Sequence, residues 1–81
     1  MSELSRLRWL CRRGMKELDI VMTHFLEQSY PESSEQEKNA FVSLLNLQDP
    51  ELYALLLDRK TSDDPYENQV LEALRLIKSN R

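Results

Sequence analysis

Apolar side chains recur along this chain at intervals of three and four residues, the spacing of one face of an α-helix. Leu4, Leu7, Leu10 and Cys11 form the first such stripe, with Ser2 as a candidate cap. Arg12 and Arg13 follow in what the pattern makes the last turn, and Gly14 stands where a left-handed residue would close the helix. The second stripe is Leu18, Val21, Met22, Phe25 and Leu26, ending near Tyr30, because Pro31 disfavours helical geometry in the residue before it. Ser34 with Glu37 three residues on reads as a capping box, and Ala40, Phe41, Leu44 and Leu45 supply the apolar face behind it. In DPEL, Asp49 reads as a cap, Pro50 as the first helical residue and Glu51 as a first-turn acid, with Leu52, Leu55 and Leu56 inward. DPYE repeats the device with Asp64, Pro65 and Glu67, and the last helix runs through Val70, Leu71, Leu74 and Ile77 before fraying into KSNR. The pattern predicts an all-α fold, a compact bundle of five short helices, with residues 1–81 as a single domain.

Composition supports that reading. Of 81 residues, 41% are apolar and 31% charged, with only one glycine and three prolines to build turns. A chain of this length buries about 60–65% of its unfolded surface, so its stability is expected to be modest. No apolar run approaches the roughly 20 residues that span a bilayer, and the charged N-terminus does not read as a secretory signal. One cysteine, Cys11, cannot form an internal disulfide. The expected location is cytoplasmic, without membrane insertion.

Charge changes the picture, because the overall −3 is unevenly spread. Through Lys16 the chain carries Arg6, Arg8, Arg12, Arg13 and Lys16 against Glu3 alone, a net of +4, and the remainder carries −7. Such a basic head is either a solvated helix end, where the macrodipole favours cations, or a contact surface.

The candidate chemistry is sparse. His24 is the single histidine, and no second His or Cys lies at zinc-ligand spacing. Cys11 reads as a small core residue, and Asp63–Asp64, directly before a proline, reads as a helix cap rather than a carboxylate pair. Nucleophilic catalysis needs a nucleophile, a base and an orienting group, and a pyrophosphate cradle needs several glycines. Neither set is visible, so no enzyme, no metal and no cofactor bound by the chain itself are expected. Nucleic acid is disfavoured by a pI near 5.1 and by Glu17 and Asp19, which interrupt the basic patch. Protein binding remains. Trp9 lies between Arg6 and Arg13 in sequence, and Arg and Trp often anchor interfaces, although Trp9 could equally pack the first helix onto the bundle. Arg13 and Glu17, projecting from either side of a turn at Gly14, would make a docking corner.

The segment RLRWLCRRGMKELD resembles the signature of the SdhE/YgfY family of succinate dehydrogenase flavinylation factors. The family motif R-G-x-x-E is met by Arg13, Gly14 and Glu17, with Trp9, Cys11, Arg12, Met15, Leu18 and Asp19 also as in typical bacterial members. Downstream, Phe25, Glu27, Ser34 with Glu37, Phe41 and DPEL are family-like; many members carry a tryptophan where this chain has Leu55. The resemblance implies a five-helix bundle and an assembly chaperone, FAD being held by the partner; a monomer is expected on separate grounds, because a bundle of this kind can cover its own apolar faces. That partner would be the flavoprotein subunit of succinate dehydrogenase or fumarate reductase, on which covalent FAD attachment is promoted. It places partner contact at Arg13, Gly14 and Glu17, surrounded by Arg6, Arg8, Trp9, Arg12, Lys16 and Asp19. A regulatory, antitoxin-like or nucleic-acid-binding role is the alternative.

Overall fold

The computed structural model describes residues 3–80, so the cap expected at Ser2 lies outside the described residues. Five helices follow one another: α1 (Glu3–Leu10), α2 (Lys16–Gln28), α3 (Glu35–Leu45), α4 (Asp49–Leu56) and α5 (Pro65–Ser79). A 3-10 turn, Tyr30–Glu32, links α2 to α3 and contains Pro31. No strand occurs among the described residues, and the fold is the expected all-α bundle.

The five apolar stripes converge on one core. α3 and α5 share the largest interhelical contact, α2 packs on α5, and the short α1 lies across α2 and α3. Leu7, Cys11, Leu18, Val21, Phe41, Leu44, Leu52, Leu71 and Leu74 are fully removed from solvent. Phe25 stacks on Phe41 with centroids 4.7 Å apart, and Tyr30 tilts against Phe41 at 5.7 Å. Leu55 is buried in this core, so the position where the family resemblance departs offers no surface here. Leu4, expected inward, is half exposed: it sits in the first turn of a short helix and overhangs a groove beside Tyr30 and Pro31.

Helix ends follow local chemistry in three of the expected places. Ser34 and Glu37 form the reciprocal capping box, with Glu37 N–H donating to Ser34 Oγ at 3.2 Å and Ser34 N–H to Glu37 Oε1 at 3.1 Å. Asp64 caps α5, its Oδ1 accepting from Tyr66 N–H at 2.8 Å. Pro65 opens that helix as expected.

Three other expectations need correction, and all three concern the corner described below. α1 ends at Leu10, so Arg12 and Arg13 lie beyond the helix rather than in its last turn. Gly14 does not adopt a positive φ; the one left-handed residue among those described is Asp58, at φ 62°. Asp58 closes α4, with Arg59 N–H donating to Ala54 O at 2.9 Å and Asp58 N–H to Leu55 O at 3.1 Å, a pairing that Asp tolerates better than most side chains. Finally, Gln48 is the N-cap of α4 and Asp49 its first residue, because the Asp49 carboxylate is engaged elsewhere.

Candidate functional site

The connection between α1 and α2 is short and almost without regular structure, so its shape must come from side chains. Arg13 supplies most of it. Its Nε donates to Asp49 Oδ1 at 2.8 Å, and Nη1 donates to Leu45 O at 2.7 Å and Leu10 O at 3.2 Å. Nη2 donates to Leu47 O. Leu10 ends α1 and Leu45 ends α3, so one guanidinium gathers carbonyls that helix termini leave without partners. A cation also suits the negative end of two helix dipoles. With only 9% of its side chain exposed, Arg13 points into the protein rather than away from it.

Asp49 completes the brace from α4. Its Oδ2 accepts from Gly14 N–H at 3.0 Å and Met15 N–H at 3.2 Å, while Oδ1 receives Arg13. Met15 is the N-cap of α2 and has no side-chain cap of its own, so the carboxylate of a distant helix fixes the entry to α2. The glycine follows from this arrangement. A Cβ at position 14 would lie 3.3 Å from Asp49 Oδ2, tighter than ordinary contact. Glycine here gives the carboxylate room for its close approach, and no left-handed turn calls for it.

Glu17, one turn into α2, is tied to two further elements. Tyr53 of α4 donates its hydroxyl to Glu17 Oε2 at 3.3 Å, and Lys78 of α5 lies 3.2 Å from Oε1. Both charged side chains stay about one-third exposed, at 33% for Glu17 and 35% for Lys78.

The remaining expected residues form a different kind of surface. Trp9 is 68% exposed, which corrects the reading in which it packs α1 onto the bundle. Arg8 ion-pairs with Glu27 of α2 at 2.8 Å in an exposed position. A groove of about 410 Å³ is lined by Ser5, Arg8, Trp9, Arg12, Asp19 and Thr23. Arg6, Arg12 and Lys16 are exposed, while Asp19 is half-buried on the groove wall. The structure thus gathers Arg8, Trp9, Arg12 and Asp19 along one groove. It turns Arg13 away from that surface, correcting the expectation that Arg13 and Glu17 project as a fork.

Beneath the groove, Cys11 is buried, and burial pushes its thiol up to about 11 against the opposing pull of Arg13. The thiol is held neutral, consistent with a core residue and not with a reactive one. His24 is exposed on α2. Among the described residues no group of three or more His, Cys, Asp or Glu is placed to hold a metal ion. Nor is any described helix long and apolar enough to cross a membrane.

Sequence reasoning missed Asp49, Tyr53 and Lys78. Asp49 precedes a proline at a helix start, where the local signal for a cap is strong, and only tertiary structure shows it 36 residues away on Arg13. Tyr53 and Lys78 carry no local signal for proximity to Glu17.

Fold and corner together define a class: a small all-α protein with one internally braced, charged turn beside an exposed indole. Comparison with known proteins narrows it. The profile of the family described as flavinator of succinate dehydrogenase matches residues 5–78. FAD assembly factor SdhE of Yersinia pseudotuberculosis is 39% identical over 75 residues, covering 93% of this chain and 82% of that one. The protein of the same name from Vibrio vulnificus is 45% identical over 62 residues, covering 76% and 72%. That from Idiomarina loihiensis is 37% identical over 79 residues, covering 98% and 84%. The chain belongs to the succinate dehydrogenase flavinator family.

Proposed function

We propose that this protein is a non-catalytic assembly chaperone that docks on the flavoprotein subunit of succinate dehydrogenase, and of fumarate reductase, and promotes covalent attachment of FAD. The observation that carries this reading is the divided corner. A family-defining turn is locked from within by Arg13 and Asp49, while Trp9, Arg12 and the Gly14 backbone beside it face solvent. A turn so rigidly built presents its exposed groups at little entropic cost on binding.

In this role the flavoprotein supplies the histidine that bonds to the flavin, and it holds the FAD. The grooves of about 440 and 410 Å³ have no glycine in their linings to let backbone N–H groups approach a pyrophosphate. The residues present therefore suit a protein surface better than a resident dinucleotide. Partner contact falls on Gly14, Glu17, Arg6, Arg8, Trp9, Arg12, Lys16 and Asp19, and Arg13 shapes the turn they surround.

The test is to express the flavoprotein subunit of succinate dehydrogenase with and without this chain and read in-gel flavin fluorescence after denaturation, which reports only covalent FAD. Fluorescence should rise with the wild type and fail to rise with a Glu17→Ala variant whose thermal melt shows it folded. Fluorescence indifferent to the presence of the chain would overturn the proposal.

A further inference from the structure

The carboxylate of Glu17 is held by two elements that the motif does not include, α4 through Tyr53 and α5 through Lys78. We infer that the docking corner extends across Tyr53 and Lys78, and that Lys78 stands in the free protein where a guanidinium of the partner stands in the complex. This rests on the docking role proposed above and adds to it the chemistry of one partner group.

The geometry supports an exchange. Both contacts to Glu17 are loose: the hydrogen bond from Tyr53 is long, at 3.3 Å, and Lys78 lies at 3.2 Å as an ion pair. A carboxylate accepts about four hydrogen bonds, so two acceptor positions remain open. The pair is about one-third exposed on both sides, a setting in which water screens the attraction and the lysine keeps most of its freedom. Lys78 lies one residue from the end of α5, where the backbone constrains the side chain least.

The chemistry decides what replaces it. Lysine meets a carboxylate as a mobile point charge, whereas a guanidinium offers two parallel N–H donors matched to the two carboxylate oxygens. Inside an interface that excludes water the bidentate pair is the stronger of the two. An incoming guanidinium and Lys78 carry like charge, so they compete for Glu17. Tyr53 is neutral and can keep its hydrogen bond throughout, holding the carboxylate in place. Glu17 therefore reads as neutralised in the free protein and exposed to a cation only when the partner arrives. The contrast with Arg13 is physical: its four acceptors and 9% exposure leave nothing to exchange.

The experiment is a calorimetric titration of the full chain with the flavoprotein subunit of succinate dehydrogenase, using wild type, Lys78→Met, Glu17→Gln and the double variant. Lys78→Met removes the competitor and should bind about two- to fivefold tighter than wild type, the size of an exposed ion pair. In the Glu17→Gln background the same substitution should give no gain, because no carboxylate is left to compete for. Lys78→Met binding equal to or weaker than wild type overturns the inference. So does a gain that persists without the Glu17 carboxylate, since that would be a general effect of removing a positive charge. Failure of the wild type itself to bind would instead overturn the docking role, and this inference with it. Tyr53→Phe provides a further check: it should retain the Lys78→Met gain, and its loss would show that Tyr53 and not Lys78 governs Glu17.

Discussion

Trp9 and Arg13 are four residues apart in one basic stretch, yet their surroundings are opposite. Arg13 is 9% exposed, with its donors on one carboxylate and three carbonyls drawn from α1, α3 and the segment after α3. Trp9 is 68% exposed and lies along an open groove. The first is a bracing residue and the second a presented one. The difference teaches that a short motif can hold residues of two kinds: those that make a shape and those that offer it. It also predicts that substitutions a few residues apart will fail for different reasons.

The largest effect on stability should follow from removing the brace. Asp49→Ala deprives Arg13 of its counter-ion and leaves Gly14 and Met15 N–H without their acceptor. Breaking a largely buried pair of this kind should cost about 2–3 kcal/mol. A domain of this size loses roughly 4–8 °C of melting temperature per kcal/mol, so a thermal melt should fall by about 10–20 °C. A drop of a few degrees would show the brace to be ornamental.

Next comes alkaline pH, which probes the core beneath the groove. The Cys11 thiol is raised from 9.0 to about 11 by burial, so the unfolded chain loses this proton before the folded one. Stability from this group is complete below pH 9 and declines by about 1 kcal/mol per pH unit between pH 9 and 11. Tyr30, also raised by burial, adds a loss of the same sign above pH 10. Denaturant melts of wild type and Cys11→Ala across this range should diverge at pH 8 and converge toward pH 11; parallel curves would contradict the assignment.

A smaller effect is expected at Gly14. Since φ there is not left-handed, Gly14→Ala meets only the 3.3 Å approach to Asp49 Oδ2, which a carboxylate can relieve by moving a few tenths of an ångström. The expected cost is about 0.5–1 kcal/mol, read as a few degrees in the same melt. A fall as large as that of Asp49→Ala would mean that the backbone, and not the carboxylate, sets the turn. Smallest of all should be Arg12→Ala, an exposed side chain without a hydrogen bond or ion pair among the described residues. Its stability should stay within about 0.5 kcal/mol of wild type while affinity for the flavoprotein falls.

The same division explains what the sequence revealed. Stripes such as Leu18, Val21, Met22, Phe25 and Leu26, and caps such as Ser34 with Glu37, are local: the interacting residues lie within a few positions of each other, so their spacing displays them. The brace is not local. Arg13 in CRRG looks like any solvated arginine, and Asp49 before Pro50 looks like any cap, until the fold brings them to 2.8 Å. The conformation of Gly14 is hidden from local sequence for the same reason, because Asp49, which holds it, lies on another helix. The presented residues were legible as types, in that Trp and Arg without a place in an apolar stripe are candidates for contact. Their exposure was not legible, since Trp9 three residues beyond Arg6 fits a packed face equally well.

Trp9 is the residue on which the division turns, as one that serves a partner and not the fold. The most direct measurement is the Kd of Trp9→Ala for the flavoprotein subunit of succinate dehydrogenase, taken with the melting temperature of the same sample. The prediction is affinity at least tenfold weaker, about 1.4 kcal/mol or more, with a melt within about 3 °C of wild type. Unchanged affinity, or a protein that melts far lower while still binding, would contradict it.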